Sequence, residues 1–336
     1  MGARRVEDLG PVMNWTVLDL GARPLEGAER WGNDPRVRRV IRVENPAPSG
    51  KRFGSRALGL GFDAFRVAAR ARLSLAHGPL IAMNPWTTVA ARILGYRDVS
   101  TVGLYAVEDG RSWRLLRSVL GSRPVVTLSE HEASRWRTAG GRALSVRYGA
   151  TFADPPASQQ SALHPQNEEA TTTIFVGGTS DRDEDAISRL VDEVEASDDL
   201  RLVIAAGGTL QFDTGRVRRL PSIDAAEFSS FLADSDVVFL PLTDNGRAAG
   251  HMVLVEALQR GKPVIASWVA GMDEYFDGDF VQRAGTNLVP QLRAIGQTSG
   301  ARADEVRAYW EREYSKEAFG RRVLGALERM REEGSP

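Results

Sequence analysis

The chain has 336 residues, 42% of them hydrophobic and 26% charged, with 43 Lys and Arg against 44 Asp and Glu. At roughly 100–200 residues per domain, this is about two domains of ordinary globular composition and not a mainly disordered chain. The near-zero charge balance counts against a dedicated nucleic-acid binder, and the lack of cysteine excludes disulfides, thiolate nucleophiles and Cys-ligated metal centres.

The opening stretch MGARRVEDLG is charged and has no apolar core, so it does not read as a secretory signal. No apolar run is long enough to span a membrane, and a cytoplasmic protein is expected. WTVLDLG (Trp15–Gly21) reads as a strand ending in a glycine turn, and VRRVIRV (Val37–Val43) as a half-buried strand. A helical pattern follows over about Ser55–Ala76. It carries Arg56, Arg66, Arg70 and Arg72 beside Phe62, Phe65 and Leu73. The plain reading of that face is solvated and basic; contact with an anionic membrane surface is the secondary one. Strands are then predicted at Pro79–Asn84, Val99–Tyr105, Pro124–Ser129 and Ala143–Gly149, and helices at Thr87–Leu94, Trp113–Leu120 and Glu130–Ala139. Ser129 and Glu132 fit a capping box for the last helix.

A polar, proline-bearing stretch over about 151–171 interrupts the pattern and reads as a linker. The alternation then restarts. Strands are predicted at Thr172–Gly178, Leu200–Gly208, Val217–Ile223, Asp236–Leu242 and Pro263–Ser267. Helices are predicted at Glu184–Ala196, Ala225–Ala233 and Gly250–Gly261, with one or two long amphipathic helices over Asp304–Glu333. Such alternation predicts an α/β protein with parallel sheets covered on both faces. The expected organisation is a domain over 1–150, a linker over 151–171 and a second domain over 172–336 with a closing helix. The default ligand site is the cleft between two such sheets. Charge divides at the same boundary. Residues 1–150 carry 24 basic and 13 acidic side chains, a balance of +11, and residues 151–336 carry 19 and 31, a balance of −12. The halves should therefore attract across the cleft.

The most informative stretch is LPLTDNGRAAGHMVLVEALQRGKPVIAS, Leu240–Ser267. A buried strand leads through a loop with Gly246 and Gly250 into a helix that begins near His251, carries Glu256 and stops at Gly261. The free amides at such a helix start suit an anion, and Glu256 can accept two hydroxyl hydrogens from a ribose. This stretch resembles the donor-binding motif of GT-B glycosyltransferases of the large retaining group (glycosyltransferase family 4-like, group 1), roughly E-x-F-G-x-x-x-x-E-A-x-A-x-G-x-P-V-I. The resemblance implies two Rossmann-like domains facing across a cleft. It also implies that Glu256 holds the nucleotide ribose and that the backbone at Gly250, His251 and Met252 contacts the diphosphate. The first Glu of the family pattern falls on Ala248 here, so the sugar would be handled differently, with His251 as one substitute.

FVGGTSDRDEDAI (Phe175–Ile187) resembles the glycine turn and basic residue that face the donor diphosphate in this family. Gly177, Gly178 and Arg182 take those parts, with Arg182 neutralising the departing phosphate. LRLVIAAGG (Leu200–Gly208) is similar to the family's next strand, which puts Gly208 near the donor and Leu220 where the nucleobase-contacting segment lies. In the first domain, Trp86, Tyr105 and Glu108 follow predicted strand ends and are candidate acceptor contacts. The acidic run Asp181–Asp185 reads as a helix start and not as a metal motif.

The resemblance thus implies transfer of a sugar from a nucleotide-diphosphate sugar, expected to be a UDP-sugar, with retention and with no metal or resident cofactor. The acceptor would be a small molecule or glycan, anionic ligands being favoured by the basic first half, and no nucleic acid is expected. Two alternatives stand beside it: a nucleotide-sugar epimerase on the same fold, and a non-catalytic glycosyltransferase-like partner protein.

Overall fold

The computed structural model describes residues 14–21, 34–44, 56–76, 78–104, 106, 110–154, 171–206, 214–220, 223–246 and 248–333. The first sheet holds β1 (Trp15–Gly21), β2 (Val37–Glu44), β3 (Leu80–Ala82), β4 (Val99–Val102), β5 (Pro124–Thr127) and β6 (Arg142–Ser145) in the order β2-β1-β3-β4-β5-β6. Its helices are α1 (Arg56–Leu73), α2 (Pro85–Ile93), α3 (Arg111–Leu120) and α4 (Glu130–Thr138). The second sheet holds β7 (Thr172–Gly178), β8 (Leu200–Ala206), β9 (Val217–Arg219), β10 (Val237–Leu240), β11 (Val264–Ala266) and β12 (Val281–Arg283) in the order β12-β11-β10-β7-β8-β9. Around it lie α5 (Glu184–Glu195), α6 (Ala225–Ala233), α7 (His251–Gln259), a 3-10 turn (Ala270–Tyr275), α8 (Leu288–Tyr314) and α9 (Lys316–Glu332).

Every strand pairing in both sheets is parallel. Strands β3, β4, β10 and β11 are buried along their whole length, as expected where helices cover both faces. Even the polar β4 complies, because the Thr101 hydroxyl is shared with Thr88 of α2 at 2.8 Å.

Two elements lie outside the sequence expectation, the 3-10 turn and β12, each short and without a clear periodicity. A third difference is the start of α8 at Leu288, well before the predicted Asp304. Pro290 and the scattered glycines disguise it. Proline is tolerated in a first helical turn, where the amide would have no intrahelical partner.

The last helix leaves the second domain. The α9 side chains Phe319, Val323, Leu324, Leu327 and Met330 are buried with Trp15, Val17, Ile81 and Val126 of the first sheet. The chain therefore passes between the domains twice, after β6 and again at Ser315. The two crossings touch at Gly149, where a Cβ would lie 2.7 Å from the Tyr314 carbonyl oxygen and 2.8 Å from that of Ser315. The amide of Ala150 donates to the same Tyr314 carbonyl at 2.9 Å.

Candidate functional site

In the second sheet the strand order reverses between β7 and β10, which are neighbours although their onward connections run to opposite edges. A parallel sheet opens a crevice at the carboxyl ends of such a pair, because the two connecting loops part there. Strand β7 ends at Gly177–Gly178 and β10 at Leu240, so both sequence-marked loops meet at this crevice. They are fastened to one another. Thr243 N donates to Asp181 O at 3.0 Å and Asp183 N to Pro241 O at 3.1 Å. Arg182 and Leu242 form an antiparallel bridge, and the Asn245 side-chain amide donates to the Asp181 carboxylate.

The two glycines of the β7 turn are required for different reasons. At Gly177 a Cβ would lie 2.5 Å from the Phe175 ring and 2.6 Å from the Phe228 ring, which meet edge-on. That glycine makes room for core aromatics. Gly178 has φ +101°, and a Cβ there would run into the Arg182 guanidinium. Arg182 folds back over the turn: Nε donates to Gly177 O at 2.8 Å, one terminal nitrogen to the same oxygen at 2.6 Å, and the other to Ser180 O at 2.8 Å. A guanidinium has five N–H donors, so one hydrogen remains on each terminal nitrogen. Burial pulls its pKa down to about 10, with Asp181 acting in the other direction, and it remains a cation at neutral pH. Downstream, Asp183 caps α5 by accepting from Ala186 N at 3.0 Å, with Glu184 and Asp185 in its first turn. The acidic run is thus a helix start, as its sequence suggests.

Helix α7 begins at Gly250, whose φ of +76° is left-handed and which offers no side-chain cap. The first intrahelical bond is Leu254 N to Gly250 O at 3.0 Å, so the amides of His251, Met252 and Val253 precede it and carry the positive end of the helix dipole. Met252 is exposed at this end, whereas Glu256 in the second turn is 2% exposed. The His251 ring turns inward. Its Nε2 lies 3.2 Å from Gly271 O and its plane packs against Tyr275 at 4.3 Å between centroids. Burial pulls its pKa down to about 4, opposed by the Gly271 carbonyl, so the ring is neutral near pH 7. The structure therefore brings the His251 backbone to the helix start and its side chain into the core.

The opposite wall comes from the first domain. The start of α4 packs on the loop after β10, and Arg135 donates to the Gly246 carbonyl. A Cβ at Gly246 would lie 2.5 Å from that guanidinium and 3.7 Å from His131 Nε2. Ser129 caps α4 by accepting from Glu132 N at 3.2 Å, but only this half of the expected capping box forms. The Glu132 carboxylate is turned toward the amides of Ala248 and Leu128 instead. Its Oε1 is buried with no hydrogen bond among the described residues, and burial pushes its pKa up to about 7. Tyr275 pins the same junction: its hydroxyl donates to Leu128 O at 2.8 Å and accepts from Tyr148 N at 2.7 Å.

Glu132, Arg135 and Tyr275 were not singled out for the site from sequence, because their roles depend on contacts between domains. Trp268 was also missed. It is 53% exposed just beyond the carboxyl end of β11, its indole N–H donating to Asp273 at 3.1 Å. An unburied tryptophan directly after a buried strand was the available signal. Of the remaining candidates, Leu220 lies just past the end of β9, its amide bonded to Ile204 O at 2.8 Å and its side chain half-buried against the core. Trp86 sits at the start of α2 beside the β3 end and packs partly into the first-domain core, its amide capped by Asn84. Gly208, Tyr105 and Glu108 lie outside the described residues. Among the described residues no three His, Asp or Glu side chains converge as a metal site would need, and no helix is long and apolar enough to cross a membrane. On α1, Phe62 and Phe65 are 49% and 44% exposed.

Comparison with known proteins places this geometry. Residues 170–296 match the family described as Glycosyl transferases group 1, a span that contains both fastened loops and α7. No curated protein matches the sequence. In three dimensions the chain is similar to sucrose-phosphate synthase from Thermosynechococcus elongatus, with a TM-score of 0.58 at 18% identity over 90% of this chain and 85% of that one. It is likewise similar to HepE from Anabaena in complex with UDP-glucose, with a TM-score of 0.60 at 16% identity over 94% of this chain and 100% of that one. A UDP-forming trehalose-phosphate synthase from Burkholderia xenovorans aligns with a TM-score of 0.50 at 11% identity, over 82% and 79% of the two chains. The chain has the GT-B fold, and its second domain carries the group 1 glycosyltransferase sequence pattern.

Proposed function

We propose that this protein transfers a glycosyl group from a nucleotide-diphosphate sugar, a UDP-sugar foremost, to an acceptor held by the first domain. The observation that carries this reading is the uncapped start of α7 facing the Gly178–Arg182 turn across the β7/β10 crevice. A diphosphate there would meet the amides of His251, Met252 and Val253 and the two remaining N–H groups of Arg182. Both sets are fixed before the ligand arrives, so they stabilise leaving-group charge without reorganisation. Glu256 would hold the ribose, Leu220 would border the base, and His251 would serve through its backbone. HepE, similar in fold, is described with UDP-glucose bound, which supports the UDP choice.

We further propose retention of anomeric configuration without metal assistance, the charge on the diphosphate being met by backbone amides and Arg182. The test is a thermal-shift panel of UDP, GDP, ADP and dTDP, free and as sugars, because a ligand bound only by the folded state raises the melting temperature. Donor binding that falls at least about tenfold in Glu256→Gln, a loss of at least about 1.4 kcal/mol, is the expected result. A panel without any shift, or a Glu256→Gln variant with unchanged affinity, rejects the assignment. Conversion of the donor sugar in the absence of acceptor would instead identify an epimerase.

A further inference from the structure

A second concavity lies away from the α7 start. It is an open groove of about 660 Å³ at the domain junction, lined by Ser145 at the end of β6, Arg147 just after it, Glu274 of the 3-10 turn, Arg312 of α8, and Arg321, Arg322, Gly325 and Arg329 of α9. Five arginines face it against one carboxylate. That carboxylate, Glu274, accepts from the Glu130 amide at 2.6 Å, and burial raises its pKa above the ordinary range.

The arginines are unevenly neutralised. Arg147 pairs with Glu313 at 2.5 Å, and the same Glu313 meets Arg312 at 3.1 Å. Arg322 has no carboxylate partner among the described residues: one terminal nitrogen donates to the carbonyls of Arg147 at 3.1 Å and Glu313 at 2.5 Å. Its Nε is buried with no hydrogen bond, and burial together with the like charge of Arg147 lowers its pKa. Arg329 is exposed and forms no ion pair among the described residues. The Arg147 cation is favoured, against burial, by Tyr314 and Glu313, whereas burial and then Arg147 disfavour the Arg322 cation, with Glu313 opposing, and a bound anion would offset that cost.

We propose that this groove binds a ligand carrying two or more phosphoryl groups, clamped by Arg147, Arg322 and Arg329. Planar guanidinium groups suit paired phosphate oxygens, and the volume falls within the range of small-molecule sites. The groove is built from both domains and from both crossings between them, so its occupant would bear on how the domains are set. It is separate from the donor crevice and does not rest on the reading of that crevice. The phosphoryl groups can belong to a soluble metabolite or to a lipid headgroup, and the test separates these.

Pyrophosphate binding is measured by calorimetry on the full chain and on two groove variants, binding in the β7/β10 crevice being recognised because neither substitution would change it. Vesicles with and without cardiolipin, whose headgroup carries two phosphoryl groups, form the second arm. Gly325→Glu places a carboxylate in the groove at a helix position where a Cβ has room, its nearest neighbour being an Arg329 terminal nitrogen at 3.9 Å. Arg329→Ser removes an exposed cation. Pyrophosphate binding that is abolished by Gly325→Glu and weakened about tenfold by Arg329→Ser, or about 1.4 kcal/mol, supports a soluble ligand. Vesicle binding that needs cardiolipin and is lost in Gly325→Glu, without pyrophosphate binding, supports a lipid headgroup. The absence of both, or binding that neither substitution changes, overturns the proposal. Unfolding curves of both variants that superpose on the parent's show that a loss is not a folding defect.

Discussion

Glu132 gives the most demanding test of the domain junction. Its carboxylate is 3% exposed, and burial raises its pKa from 4.5 to about 7, against the backbone amides of Ala248 and Leu128 and the charge of Arg135, which favour ionisation. Glu274 adds a like charge that disfavours it. Between these two values the unfolded chain has released the proton and the folded chain still holds it. The stabilisation is therefore complete below pH 4.5 and lost as pH rises through 7. At 1.36 kcal/mol per tenfold change in proton affinity, the loss is about 3 kcal/mol. Glu132→Gln keeps the shape and removes the titration. Urea unfolding should find the variant close to the parent at pH 5 and more stable by up to about 3 kcal/mol at pH 8. His251 contributes the opposite slope: its pKa falls from 6.5 to about 4 in the fold, so its stabilisation is present above 6.5 and lost as pH falls through 4. That slope is common to both proteins and cancels in their difference. A stability difference that stays constant between pH 5 and 8 would refute the placement of a buried ionisable carboxylate at this junction.

Three further substitutions probe the same architecture. Tyr275→Phe leaves the Leu128 carbonyl and the Tyr148 amide without the hydroxyl that both contact, and unfolding experiments should find a loss of about 1–3 kcal/mol. Gly149→Ala puts a Cβ against two backbone carbonyls where the crossings meet, which only a shift of one crossing relieves; a destabilisation of about 1–3 kcal/mol is expected by the same measurement. Gly178→Ala combines a φ of +101° with a collision against Arg182. A stability loss of at least about 1 kcal/mol should come with weakened nucleotide binding, and calorimetry showing full-strength binding would separate Arg182 from the diphosphate.

The sheets, β12 apart, were legible because their strands are short runs with apolar residues bounded by turn residues, a pattern that survives without any knowledge of partners. The loops of the β7/β10 crevice were legible from their glycines: Gly178 and Gly250 stand where the backbone turns left-handed, and a glycine in a strand-to-helix turn announces that locally. What stayed hidden depends on distant contacts. Gly177 carries the same letter as Gly178, yet it makes room for Phe228 of a helix far along the chain. Glu132 sits in a local capping pattern that its side chain abandons for the amide of Ala248. The His251 ring, expected at the ligand, is claimed by Gly271 and Tyr275 of a 3-10 turn that carries no periodic signal. In each case local chemistry named the element correctly, and tertiary packing decided where its side chain went.

The opposite charges of the two halves act elsewhere than the sequence suggested. Among the described residues, Arg36 pairs with Glu328 at 3.0 Å, Arg147 with Glu313 at 2.5 Å, and Arg331 with Asp98, joining the halves through the final two helices. At the loop after β10 and at the 3-10 turn, contacts between the halves are also made to backbone, by Arg135 and Glu132 and by Tyr275. Partly exposed ion pairs contribute about 0–1 kcal/mol each, less than the apolar face of α9 contributes by burial against the first sheet. Attraction between a basic and an acidic half is therefore not what sets the domains. Buried apolar surface and hydrogen bonds to backbone do that. Where basic side chains of the first half gather with cations from α8 and α9, Glu313 meets both Arg147 and Arg312, whereas Arg329 forms no ion pair among the described residues.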